Sequence, residues 1–163
     1  MQLHPVVNLD AAASFCYPAI MREEPTEEAV TAWARLIRAQ RVLLGAVEAE
    51  LKAAGLPPLG WYDVLLELVR AETPLRPLEL EGRLLLAQHN VSRLLDRMEG
   101  AGLIARAPYA GDGRGHVVSV TPSGRAMQRR MWEVYGPAIQ RHLGAPLGEG
   151  AGPLAALLGR LLP

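Results

Sequence analysis

The stretch Gln88-His89-Asn90-Val91-Ser92-Arg93-Leu94-Leu95-Asp96-Arg97-Met98-Glu99-Gly100 is followed by Leu103-Ile104-Ala105-Arg106-Ala107-Pro108. After a glycine-rich interval comes His116-Val117-Val118-Ser119-Val120-Thr121. These three segments decide the fold. At about 100° per residue, Val91, Leu94, Leu95 and Met98 share one face of a helix. His89, Ser92, Arg93, Asp96 and Arg97 take the other face, with Gln88 and Asn90 near its N-terminal edge. Gly102 supplies the left-handed residue beyond the helix end. The period then changes. Residues 103–108 and 116–121 read as two short strands. The loop between them, Tyr109 to Gly115, is too long for a two-residue turn.

Working outward, Trp61, Val64, Leu65 and Leu68 recur at i, i+3, i+4 and i+7, which predicts a helix over 60–71. Pro77 suits the first position of a short third helix ending near Leu85. Three helices followed by a two-stranded hairpin is the winged helix-turn-helix order. Upstream, Thr26 caps a helix that runs to about Ala54, with Glu27 and Glu28 in its first turn. Its residues Val30, Trp33, Ile37, Gln40, Leu44, Val47 and Leu51 form a heptad-like stripe broken only by Gln40. So long a stripe exceeds what one small domain covers, so a second subunit is expected. Downstream, Thr121-Pro122 starts a helix carrying Met127, Met131, Val134 and Ala138, with a kink expected near Gly136-Pro137. Residues 144–152 read as a linker. Leu154, Leu157, Leu158 and Leu161 predict a short C-terminal helix.

The 163 residues carry 17 basic and 17 acidic side chains, and this balance hides a gradient. Residues 1–75 hold 6 basic and 10 acidic groups, whereas residues 76–130 hold 9 basic and 5 acidic. Every basic residue except Lys52 is arginine. Arginine's planar fork suits phosphates and guanine edges. A basic middle third fits a local anionic partner such as nucleic acid.

The helix over 88–100 has the division that major-groove reading requires, with apolar residues behind and hydrogen-bonding side chains in front. Asparagine and glutamine can pair with adenine, and arginine with guanine or phosphate. Any surface helix is amphipathic, so this pattern alone is weak. The loop sharpens it. Arg114 lies between Gly113 and Gly115, where the backbone can approach a minor groove closely, and Asp112 can pair with Arg114 and orient it. A glycine-rich phosphate cradle should follow a strand and open a helix, whereas this loop leads into Val117-Val118-Ser119-Val120, so that reading is rejected.

Three features occur together in order: residues 85–106, then Asp112-Gly113-Arg114-Gly115, then Val120-Thr121-Pro122-Ser123-Gly124. In this the chain resembles the MarR family of bacterial transcriptional regulators over about Trp33–Leu143. The resemblance implies a mainly α fold with a small β-hairpin wing. A winged helix-turn-helix domain (57–124) would be flanked by dimerisation helices (26–56 and 125–163) and preceded by an arm (1–25), all one integrated domain. It implies a homodimer on a pseudopalindromic operator in double-stranded DNA, usually as a repressor and often released by small, frequently phenolic, ligands. By the same resemblance Asn90, Ser92, Arg93 and Arg97 face DNA, and Asp112 supports Arg114 at the wing tip; Gln88 and His89 are expected to join them from their place on the helix. The family's pocket region lies where the first, second and fifth helices meet. There Trp33, Trp61, Tyr62, Trp132 and Tyr135 would surround a small aromatic ligand, although aromatics at helical spacing also serve as plain core. Two departures stand out. Arg76-Pro77 replaces the usual Ser or Thr cap, and Leu84-Leu85-Leu86 replaces a turn that usually carries glycine.

Cys16 lies in Phe15-Cys16-Tyr17-Pro18, with no basic residue after it before Arg22, and reads as an inert thiol rather than a sensor. A lone cysteine excludes an intrachain disulfide, and the four histidines share no metal-ligand spacing, so no metal or cofactor is expected. No nucleophile elbow or Walker loop supports an enzyme. No apolar run is long enough to span a membrane, and the N-terminus lacks a signal peptide's basic region, so a cytoplasmic protein is expected. A winged-helix module for protein assembly, without DNA reading, remains the alternative.

Overall fold

The computed structural model describes residues 24–85, 91–109 and 115–162. The chain divides into two compact units between Ile37 and Arg38. Helix α1 (Glu27–Ala53) begins in the first and ends in the second. Its start is the predicted one: the Thr26 hydroxyl accepts the Ala29 N–H at 3.2 Å, and Glu27 and Glu28 occupy the first turn. At its far end Gly55 takes φ +65°. The Leu56 N–H then reaches the Leu51 carbonyl (2.9 Å) and the Gly55 N–H the Lys52 carbonyl (3.0 Å), a Schellman ending. The stripe divides along its length. In the first unit Val30, Trp33 and Ile37 are exposed, while in the second Val47 and Leu51 are buried.

The second unit is built around α2 (Leu59–Ala71). Pro58 cannot cap this helix with its side chain, and α1 supplies the acceptor instead, with Glu48 Oε1 taking the Leu59 N–H at 2.9 Å. α2 serves two cores. Val64, Leu65 and Leu68 pack with Leu75, with Leu80 of α3 (Pro77–Glu81), and with Val91, Leu94, Leu95 and Met98 of α4 (Val91–Gly100). Leu59 and Tyr62 pack with Val47 and Leu51 of α1 and with Met131 and Ala138 of α5 (Pro122–Ile139).

The hairpin pairs β1 (Ile104–Pro108) with β2 (His116–Val120) in antiparallel register, from Ile104 opposite Val120 to Pro108 opposite His116. Leu75 adds a third, one-residue strand: its N–H and carbonyl both bond Val118, at 3.0 and 2.8 Å. This bridge ties the segment before α3 to the wing. The predicted helix to Leu85 stops at Glu81 instead. Gly82 follows, and the Arg83 and Leu84 amides turn back to the carbonyls of Leu80 and Glu81 in tighter, three-residue steps. The departure at Arg76 is resolved from inside the helix. The Glu79 carboxylate accepts the Arg76 N–H at 2.9 Å, which is the reaching-back half of a capping box.

One junction joins α4, the hairpin and α5. The Thr121 hydroxyl donates to the Gly102 carbonyl (2.7 Å) and accepts the Gly124 N–H (3.0 Å), while the Thr121 N–H bonds the Leu103 carbonyl at 3.1 Å. Gly102 has φ +71°, the expected left-handed turn after α4. Gly124 sits so close to this turn that an added Cβ would lie 2.0 Å from the Leu103 carbonyl oxygen.

Beyond α5 the expectations need two corrections. The disturbance expected near Gly136-Pro137 takes the form of a π-helical turn at Gln140–Gly144, following a proline that brings no N–H to the ladder. Residues 144–152 are a run of short helical turns rather than an open linker: Ala145–Leu147, then the 3-10 turn Gly148–Gly150, then the C-terminal helix Ala151–Gly159. The π turn is anchored to α1. Arg141 pairs with Glu50, and His142 Nε2 lies 2.6 Å from Glu50 Oε1. Hydrogen bonds from Arg141, then from His142, hold the Glu50 carboxyl below its ordinary value of 4.5.

Two outcomes are expected. Gly124→Ala should lower unfolding free energy by about 1–3 kcal/mol through overpacking against backbone. Gly100→Ala, which meets nothing within 4 Å, should be neutral or slightly stabilising in the same urea titration. A carboxyl whose folded pKa is depressed contributes stability that is present above its unfolded pKa and is lost on acidification. Wild type should therefore lose urea resistance more steeply than Glu50→Gln between about pH 5 and pH 3.

Candidate nucleic-acid interface and aromatic cleft

The outward face of α4 is built by exclusion. Val91, Leu94, Leu95 and Met98 are all buried, which turns Ser92, Arg93, Asp96 and Arg97 to the surface. Three of the predicted DNA-facing residues, Ser92, Arg93 and Arg97, thus stand together on one exposed helical face. Gln88, His89, Asn90, Asp112, Arg114 and Cys16 lie outside the described residues.

Asp96 shares that face but has another task. Arg106, on β1, reaches α4 with both terminal nitrogens: Nη2 lies 2.7 Å from Asp96 Oδ1 and Nη1 lies 2.8 Å from Glu99 Oε2. The Arg106 side chain is 23% exposed, while Asp96 and Glu99 are 62% and 40% exposed, so water reaches the carboxylate side of both contacts. Arginine's planar fork is suited to two carboxylates at once. The result is a fixed angle between the helix that presents Arg93 and Arg97 and the strand that leads to the wing. Sequence reading missed this role. The available signal was an arginine on a short strand, eight residues after the helix's own Met98.

The wing loop is closed at its base by the Tyr109 N–H bonding the Gly115 carbonyl at 2.9 Å. The Arg76 guanidinium lies over the Tyr109 ring, 5.0 Å from its centroid. The start of α3 and the base of the wing are thus held together by cation–π attraction as well as by the Leu75 bridge.

A second feature lies between α2 and α5, a cleft of about 430 Å³. Tyr62, Trp132 and Tyr135 meet there, with centroids 5.1 to 6.1 Å apart and Tyr135 edge-on to both other rings. Leu44, Leu59, Leu66, Leu85 and Ile139 supply apolar wall, and Asp63, Arg70 and Gln128 supply polar groups. Gln128 Nε2 donates to the Tyr62 hydroxyl at 3.2 Å. Burial raises the pKa of both tyrosines, so each hydroxyl stays a neutral donor at physiological pH. Three of the five predicted pocket aromatics therefore converge. Trp61, one step along α2, packs against the core shared with α4, and Trp33 stands in the first unit with 67% of its surface exposed. Trp61 does not line the cleft, because on α2 a shift of one residue turns a side chain by about 100°. Asp63, Arg70 and Gln128 were not predicted. The one sign of them was a charged residue set between Tyr62 and Val64.

The geometry is that of a winged helix-turn-helix protein with an exposed arginine-bearing helix. The family model of the MarR family matches residues 54–115. AbsC, a MarR family transcriptional regulator from Streptomyces coelicolor, is 25% identical with a TM-score of 0.72, the match covering 86% of this chain and 93% of that one. Another MarR family regulator from the same organism is 28% identical, TM-score 0.70, over 83% of this chain and 94% of the other. A third, solved in complex with DNA, is 23% identical with a TM-score of 0.71, over 85% and 88%. No curated protein matches the chain significantly. The chain therefore resembles the MarR family in sequence through its winged-helix segment and shares the fold of MarR family regulators over more than four fifths of its length. Among the described residues no helix is long and apolar enough to cross a membrane.

Proposed function

We propose that the protein is a sequence-specific double-stranded-DNA-binding transcriptional regulator. It acts as a homodimeric repressor on a pseudopalindromic operator and is released by a small molecule in the aromatic cleft. The observation that carries this reading is the α4 surface: Ser92, Arg93 and Arg97 exposed on one face, the opposite face fully buried, and the helix clamped to the wing by Arg106. A helix held rigidly against a wing, with hydrogen-bonding side chains outward, is what insertion into a major groove requires. The match to the MarR family and the DNA-bound structure of one similar regulator support the same reading.

The exposed apolar residues at both ends of the chain support the homodimer. Val30, Trp33, Ile37 and Val42 along α1, and Leu157, Leu161 and Leu162 near the C-terminus, all leave large apolar side chains at the surface. A second copy would cover them, and a two-fold axis would present two copies of α4 to two half-sites. Release by a ligand is supported by connectivity. Trp132 and Tyr135 lie on α5, whose first turn is bonded through Thr121 to the turn after α4, so a ligand that shifts α5 acts on α4 through a stiff link.

Arg93 gives the test. It is exposed on the outer face of α4. On DNA fragments selected from a random library by the wild-type protein, Arg93→Ala should lose roughly 1–3 kcal/mol of discrimination at one base pair per half-site. Unfolding free energy should change by less than about 0.5 kcal/mol. A variant that retains full sequence preference would favour an assembly module over a DNA reader.

A further inference from the structure

The charged groups that line the cleft, Asp63 and Arg70, both stand on α2. Asp63, Glu67 and Arg70 lie four and three residues apart, hence on one side of the helix. Asp63 is only 4% exposed and lines the cleft. Glu67 is likewise nearly buried, and it holds Arg70 at 3.0 Å, with the arginine side chain 63% exposed. Of the two charged side chains that line the cleft, Asp63 is buried, whereas Arg70 is largely solvated and already engaged by Glu67, which stands outside the lining. Burial, then Tyr62 and then Asp63 raise the Tyr135 hydroxyl's pKa, so the Asp63 charge is felt inside the cleft, as is that of Arg70, which acts to lower the pKa of Tyr62. An aromatic acid entering here would bring a second negative charge beside a buried carboxylate, in surroundings that screen charge poorly.

The rings point the same way. Tyr62, Trp132 and Tyr135 form a three-membered aromatic cluster at the cleft wall beside Asp63, and electron-rich ring faces attract organic cations. Leu44, Leu59, Leu66 and Ile139 provide room for an apolar body, and about 430 Å³ suits a small organic molecule. A carboxylate accepts up to about four hydrogen bonds, so a ligand's ammonium adds to the contacts Asp63 already makes.

We propose that the cleft selects lipophilic organic cations, amines or quaternary ammonium compounds with an apolar body, with the cationic head between Asp63 and the Tyr62–Trp132–Tyr135 rings. This rests on the reading of the cleft as the effector site and departs from the phenolic ligands that the family resemblance suggests.

The test compares two ligands with one apolar body and opposite charge. 4-Phenylbutylamine and 4-phenylbutyrate are titrated by calorimetry into the full-length protein near neutral pH. The amine should bind at least roughly tenfold more tightly than the acid. Asp63→Asn should bring the two affinities to within about threefold of each other, with folding checked by its melting transition. Trp132→Leu alters a half-exposed ring, so the fold should tolerate it, and it should weaken the amine about threefold or more while leaving the acid unchanged. Three results would overturn the proposal: an acid that binds as tightly as the amine, no binding of either at millimolar concentration, or a folded Asp63→Asn protein that keeps the preference. DNA binding is measured on the same preparation without ligand. A protein that binds its selected DNA yet does not favour the amine contradicts this inference alone, and one that favours the amine yet binds no DNA contradicts the regulator reading alone.

Discussion

The Thr121 hydroxyl holds two elements at once, donating to the carbonyl of Gly102 beyond α4 and accepting the amide of Gly124 in the first turn of α5. The end of α4, the start of the hairpin and the start of α5 meet at this contact. The left-handed Gly102 ends the helix that carries Arg93 and Arg97, and the strand to the wing starts two residues later. Gly124 permits α5 to begin against the Leu103 carbonyl, at a separation that no side chain tolerates. Thr121 therefore fixes where α4 ends, where the wing begins and where α5 starts, using one hydroxyl and one amide.

Arg106 completes the frame from the other side of the hairpin. By gripping Asp96 and Glu99 it sets the rotation of α4 relative to β1, while the Leu75 bridge fixes the same sheet to the start of α3. These are polar devices placed on a core that is otherwise aliphatic. Burial of Val91, Leu94, Leu95 and Met98 decides which face of α4 is inside, and the arginine clamp decides the angle at which the outside face is offered. On the proposed reading this division of labour lets the surface of α4 vary for base recognition without disturbing the fold.

Much of this was legible in the sequence because it depends on short-range rules. The period of the apolar residues from Val91 to Met98, the Thr121-Pro122 start and the glycine after α4 are local signals, and each specified its element. What stayed hidden depends on neighbours distant in sequence. The end of α3 at Glu81 was set by Gly82 against a run of leucines that read as helix. The segment 144–152 looked like a linker because its glycines and proline weaken helix propensity, yet α-helical and 3-10 turns still form there. Trp61 and Tyr62 are adjacent and equally aromatic, and only the packing of α2 between two cores separates one as core from the other as cleft wall. Asp63 and Arg106 acquire their roles from partners on other elements, which no spacing within their own segment reveals.

Hydroxyl-radical footprinting on a DNA fragment selected by the wild-type protein tests the central claim most directly, because it reads helix insertion and two-fold symmetry together. The account predicts two protected tracts related by a dyad, centred about one helical turn apart, ~10–10.5 base pairs or a multiple of it. A single tract without a dyad, or protection that is uniform along any DNA offered, would contradict it.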